Sequence, residues 1–291
     1  MKVQQKNDNL ILKDIKDFNI EHILECGQCF NFEKVAAMDY IIVAYGKMLH
    51  IVQDGEMVIL HDTSLEDYEK IWKHYFDIDT DYGKIKKFLK ENDEKIVPAI
   101  EDKWGIRILN QEFFEMLLSF IISQNKQIPH IKQIVRGISE KYGKEIGEYN
   151  GRKYYSFPSL EAFDGVTEED FRALKTGFRA PYLMDAINQS RNGLCAENFV
   201  NLVYDDAVKE MLKIKGVGEK VANCVALFSL GYRNAFPVDV WVKRVMEETY
   251  FGKETSKEEI MKFAKNKFGE YGGYAQQYHF YYMRDKNVKK V

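Results

Sequence analysis

Near residue 62 the hydrophobic period of this chain changes, and that change divides the molecule. Up to about Leu60 the sequence runs in short stretches rich in Ile, Val, Tyr and Phe: "QCFNFEKV", "DYIIVAYG", "KMLHIVQD" and "EMVILHD". Gly, Asp or Asn separates them, so they predict strands of an antiparallel meander. From Ser64 onward the spacing is helical. "SLEDYEKIWKHYF" opens with a serine and an acidic residue three places on, a near-capping box. Helical runs then continue through "EFFEMLLSFIISQ", "IPHIKQIVRGISEKYG" and "PYLMDAINQSRNG" to "YAQQYHFYYMRD". The fold class is therefore α+β, with a small antiparallel β-rich N-terminal domain over residues 1–105. A large all-α domain follows over 106–291. The closing "KNVKK" reads as a frayed basic tail.

Composition narrows the classes. At 291 residues, 45% hydrophobic, with only 5 prolines, the chain can bury a real core. No run of 18 or more apolar residues marks a membrane span, and the start lacks a secretory apolar stretch. Four cysteines without an export signal predict free thiols and a reducing, cytoplasmic location. A net charge of −3 means that any binding to nucleic acid must rest on a local patch.

Three short motifs carry possible chemistry. "ECGQCF" places Cys26 and Cys29 in C-x-x-C spacing, but no second ligand pair follows and the context is β, so a metal or redox role is not expected. "KIKGVGEKVA" has a helix running to Ile214, then Gly216, Val217 and Gly218, then a new helix from about Glu219. Such a turn is either an ordinary helix–helix connection or an anion site of backbone N–H groups for one nucleic-acid phosphate. Lys213 and Lys215 beside it favour phosphate. The helix after the turn is apolar nearly all round, yet it carries Lys220, whose charge is costly to bury. In "FPVDVWVKRV", Asp239 suits a helix N-cap; the helix dipole and N–H groups would also keep it ionised as a fixed negative charge.

Together these segments resemble the helix-hairpin-helix DNA glycosylases, with Asp239 following Lys220 by 19 residues. "CGQCF", "LLSFIISQNKQIPHI", "GFRAPYLMDAI" and "YGGYAQQYHF", in that order, are most similar to the 8-oxoguanine DNA glycosylase/lyases. The four clustered cysteines of the iron–sulfur glycosylases are missing. The resemblance implies a TATA-binding-protein-like N-terminal domain and a helix-hairpin-helix glycosylase domain, with the active site at the cleft between them. It implies a monomer that needs no cofactor and acts on double-stranded DNA containing oxidised guanine. Lys220 would be the nucleophile, since burial favours the neutral amine, and Asp239 would stabilise charge developing on the sugar.

The resemblance also fills the base pocket. The backbone oxygen of Gly27 would accept from the N7–H that distinguishes oxoguanine from guanine, and Gln276 would read the base's pairing edge. Phe280 and Cys224 would cover its two faces. Phe178 would wedge into the gap left by the flipped nucleotide. Arg179 would read the orphaned partner base, Asn125 would hold its strand, and the hairpin Gly216–Gly218 would hold a phosphate. Where eukaryotic members carry three asparagines and then an arginine, this chain has Asn125, Lys126, Gln127 and His130. Histidine cannot reproduce a charged, forked donor, so a weak preference for cytosine opposite the lesion is expected. A non-catalytic helix-hairpin-helix module would explain the glycines but not Lys220 with Asp239. Relatives acting on alkylated purines typically lack the lysine.

Overall fold

A computed structural model describes residues 1–288. The four predicted strand regions become β3 (Phe32–Ala36), β4 (Asp39–Ala44), β5 (Lys47–Asp54) and β6 (Met57–His61), each antiparallel to the next. Two strands missed by the sequence reading, β1 (Lys2–Lys6) and β2 (Asn9–Lys13), extend this meander beyond β6. The sheet order is β1-β2-β6-β5-β4-β3. Cys29 and Phe30, expected at the start of a strand, instead lie in a loop after a short helix, Ile20–Leu24. Asn19 caps that helix by accepting from the His22 N–H.

Two hydrophobic cores result. One, under the sheet, includes Leu10, Phe18, Tyr40, Ile51 and Trp72; the other is helical and already includes Tyr82, Leu89 and Ile100. Having entered the helical core by Tyr82, the chain crosses back to the sheet core between Ile108 and Leu109. Gln28, wholly buried, staples that crossing. Its amide donates to the carbonyls of Ile23 (2.8 Å) and Arg107 (2.7 Å), and its Oε1 accepts from the Leu109 N–H (2.9 Å).

The helical part also carries a two-stranded hairpin, β7 (Glu145–Tyr149) and β8 (Arg152–Tyr155), turned at Asn150-Gly151. It leans back on the sheet, with Arg152 and the Tyr154 hydroxyl both bonded to Glu33. The C-terminal helix, Gly272–Val288, takes in the first residues of the expected tail; Lys289 and Lys290 lie outside the described residues. No helix among the described residues is long and apolar enough to cross a membrane.

Candidate active site

The turn after Tyr204–Met211 is tighter than the sequence suggests. That helix ends at Met211, not Ile214, because Lys213 and Ile214 donate three residues back, to Glu210 and Met211. Gly216 has φ +81°, and a Cβ there would stand 2.2 Å from the Tyr182 ring. The hairpin thus lies flat on an aromatic ring, a closeness that only glycine permits. Gly218 then caps the helix Glu219–Phe228 without a side chain, leaving the first N–H groups of the helix without a side-chain acceptor.

Lys220 sits in the first turn of this helix, half-buried. Its amine donates to Ser123 Oγ at 2.9 Å and stands 5.1 Å above the Phe120 ring. Ser123 in turn donates to the Phe120 carbonyl at 2.8 Å, so the hydroxyl is held as an acceptor for the amine. One turn on, Cys224 is buried, which pushes its thiol up to about 11; the Lys220 charge pulls it down and Asp239 pushes it up. Cys224 therefore lies in the fields of both.

Asp239 caps the helix Val240–Met246, accepting from the Val242 N–H at 2.8 Å. Its carboxyl nonetheless lies above the ordinary aspartate value, against the expectation from the helix dipole. Burial dominates, and the Val242 N–H, the Lys220 charge and the Trp241 N–H only partly offset it. Gln276, on the C-terminal helix, is buried and donates to the Pro237 carbonyl at 3.2 Å, which ties that helix to the aspartate loop. Its Oε1 accepts from the Gln277 amide at 2.9 Å.

Gly27 lies in the loop opposite, with φ +83°. A Cβ there would come within 3.2 Å of the Phe280 ring, 3.3 Å of Ile128 and 3.5 Å of Arg284 Nη1. A side chain there would be strained by the backbone conformation and would crowd Phe280. Arg284 holds this loop by donating to the Glu25 carbonyl at 2.5 Å, and its guanidinium lies 5.5 Å from the Phe280 ring.

A third group of residues flanks the hairpin. Asn125 and His130 are exposed in and after the turn linking the helices Phe113–Ser123 and Ile128–Tyr142. Asn125 has φ +50°, a conformation asparagine tolerates better than most residues, so the turn alone accounts for its presence. Phe178 is 53% exposed. Arg179 beside it is only 3% exposed. Its guanidinium donates to the carbonyls of Gln124 (2.9 Å) and Thr176 (3.0 Å) and lies 4.1 Å from the Phe178 ring. Gln124 also donates to the Gly216 carbonyl at 3.0 Å, joining the turn, the Phe178–Arg179 loop and the hairpin into one unit.

With this geometry in hand, the comparisons decide the family. Residues 10–117 match the 8-oxoguanine DNA glycosylase N-terminal domain, and residues 118–270 match the HhH-GPD superfamily of base excision DNA repair proteins. The chain belongs to the HhH-GPD superfamily.

This HhH-GPD chain is similar in structure to the Clostridium acetobutylicum 8-oxoguanine glycosylase/lyase in complex with double-stranded DNA containing cytosine opposite 8-oxoG. The TM-score is 0.95 at 40% identity, covering 99% of each chain. MBOgg1 in complex with a low-affinity DNA ligand gives 0.95 at 38% identity, over 98% of this chain and 99% of that one. Among curated relatives, the Arabidopsis thaliana N-glycosylase/DNA lyase OGG1 is 28% identical over 86% of this chain and 73% of its own length. The probable N-glycosylase/DNA lyase of Methanothermobacter thermautotrophicus is 28% identical over 74% of each.

Several side chains of the HhH-GPD site were not singled out from sequence. Phe120, Ser123, Gln124 and Tyr182 lie inside segments that carry the resemblance, but no role was read for them, and Arg284 lies outside those segments. The Cys26–Cys29 pair is buried, its thiols pushed upward by desolvation, Cys26 to about 12. Their hydrogens go to the carbonyls of Ile23 and Leu24. Among the described residues no three His, Cys, Asp or Glu side chains gather as a metal site.

Proposed function

We infer that this protein is a bifunctional DNA glycosylase of base excision repair, which removes 8-oxoguanine from duplex DNA and then nicks the strand as an AP lyase. It acts as a monomer, without a cofactor, in the cytoplasm and on the nucleoid. The observation that carries this reading is the lysine amine on Ser123 Oγ, at the start of a helix whose next turn brings Cys224 into the fields of both Lys220 and Asp239. A non-catalytic DNA-binding module has no use for that arrangement.

In this reading the neutral Lys220 amine attacks C1′ of the flipped nucleotide. The glycosidic bond breaks, and the base leaves with its electron pair and is protonated. The C1′–O4′ bond then opens to give a Schiff base. Loss of a proton from C2′ drives β-elimination of the 3′ phosphate, and water finally hydrolyses the imine. Asp239, as the carboxylate, stabilises positive charge on the sugar. The Gly27 carbonyl accepts from the lesion's N7–H, Phe280 and Cys224 sandwich the base, and Gln276 exchanges its Pro237 bond for the pairing edge. Phe178, Arg179, Asn125 and His130 face the strand left behind, and Gly216–Gly218 receive a phosphate.

The test is borohydride trapping on duplex DNA containing 8-oxoguanine. Wild type should form a covalent adduct that depends on the lesion. Lys220→Gln should bind the lesion with little change, because the hairpin and pocket remain, yet give neither free base nor adduct. Trapping by Lys220→Gln above background would assign the nucleophile to another amine.

A further inference from the structure

A cleft with no part in the lesion pocket lies beside the sheet. It opens between β3, β4, the helix Ile128–Tyr142 and the β7–β8 hairpin, with a volume of about 660 Å³. None of Gly27, Lys220, Cys224, Asp239, Gln276 or Phe280 lines it. Pro129, beside the Ile128 that packs against Gly27, does, so cleft and pocket share one helix.

The walls carry Lys34, Lys132, Arg136, Arg152 and Lys153 against Glu33 and Glu140, on a protein whose overall charge is negative. Both carboxylates are already engaged, Glu33 by Arg152 and Tyr154, and Glu140 by Arg136. Other donors remain, the buried Asn31 amide nitrogen among them. Lys132 makes no ion pair among the described residues; its ammonium lies 3.5 Å from the Phe32 ring centre. Glu25 and Glu33 act on it only at longer range, and burial pulls its amine below the usual lysine value. The Nε of Arg152 is buried without a partner, and so is the hydroxyl of Ser139, a residue only 2% exposed. Unpaired buried donors are rare because each costs the desolvation of a hydrogen-bonding group. Here they gather in one cleft with a cation that makes no ion pair among the described residues. The volume falls in the range of about 300–1,000 Å³ typical of small-ligand pockets.

We propose that this cleft is a second, anion-accepting site that holds a phosphate-bearing ligand of nucleotide size. The ligand is either a free nucleotide or a nucleotide of the bound DNA beyond the lesion. The site stands independently of the lysine chemistry, because the two share no residue.

Deoxyguanosine monophosphate, with inorganic pyrophosphate as competitor, serves as the free probe in calorimetric titrations of the full chain. Undamaged duplexes of about 12 and about 30 base pairs serve as the DNA probe at fixed salt, because phosphate affinity depends on salt. Lys132→Met keeps the length of the stem without its charge, and Ser139→Ala removes one partnerless atom, so both should fold. For a free nucleotide, wild type binds deoxyguanosine monophosphate, pyrophosphate displaces it, and Lys132→Met weakens binding at least tenfold with lesion trapping unchanged. For a DNA source, the mononucleotide does not bind, but Lys132→Met weakens the longer duplex at least fivefold and the shorter one little. Equal binding of all probes by wild type, Lys132→Met and Ser139→Ala would overturn the proposal. So would mononucleotide binding lost in Gln276→Ala but kept in Lys132→Met, which would assign the probe to the lesion pocket.

Discussion

At the scale of single residues, Arg179 and Glu115 lead to measurable predictions. The guanidinium of Arg179 already has main-chain acceptors, so reading a cytosine exchanges one set of bonds for another, and an exchange of hydrogen bonds yields little net free energy. His130 supplies no second fork. One bidentate base contact is worth about 1–3 kcal/mol, so losing one of two leaves modest discrimination. Single-turnover excision of 8-oxoguanine opposite each of the four bases should show cytosine preferred by less than about a hundredfold. A larger preference would mean that Arg179 suffices alone. Glu115 lies fully inside the protein, where burial, reinforced by Glu112, raises its carboxyl to about 8 while the nearby Asn31 amide pulls slightly the other way. In the unfolded chain the group ionises near 4.5, so between those values unfolding releases a proton. Stability should therefore fall as pH rises from about 4.5 to about 8, then level off. Glu115→Gln should remove that slope, raising the thermal midpoint at pH 8–9 and little at pH 5. An unchanged slope in the variant would show that the charge change lies elsewhere.

At the scale of elements, the proposed function would have one carboxylate both cap the helix Val240–Met246 and serve the chemistry. Asp239→Asn keeps an oxygen for the Val242 N–H, whereas Asp239→Ala loses the cap at a cost of about 1 kcal/mol. Asn should keep near-wild-type stability with slow base release, and Ala should lose both; denaturant titration beside single-turnover kinetics separates them. If Asn releases base at the wild-type rate, the charge is not needed. The elements were also where the sequence was most and least readable. β3–β6 were legible from their Ile, Val, Tyr and Phe content and the turn residues between them, and the long helices from helical spacing that persists through them. β1 escaped because it is wholly exposed and shows no apolar face. The β7–β8 hairpin carries an Asn-Gly turn signal, which the helical runs on either side overshadowed. Lys220 and Asp239 were visible as an oddity and a cap. Ser123 and Arg284 were not, because their partners lie 97 and 259 residues away in sequence.

At the scale of the whole molecule, the loop around Gly27 belongs to neither core alone. Cys26 and Phe30 enter the helical core, Cys29 the sheet core, and Gln28 between them bonds the segment where the chain crosses over. Gln28→Leu would leave the Leu109 N–H and the Arg107 carbonyl buried without partners, at about 1–3 kcal/mol for each group. The expected result is a large drop in thermal stability. Below the melting range, discrimination between 8-oxoguanine and guanine should also fall, because Gly27 is the neighbouring residue. Unaltered discrimination in the folded variant would show that the loop is held by Arg284 and packing alone.

A reader made of main chain has no codon of its own. If the Gly27 oxygen separates damaged from normal guanine, no substitution can exchange it for another chemical group, and any side chain at that position would meet Phe280, Ile128 or Arg284. Inherited changes in what this pocket accepts must then arrive indirectly, through neighbours that tilt or shift the peptide, such as Gln28 and Arg284. Drift at those two positions, and not at the glycine, is where a lineage could acquire a different lesion.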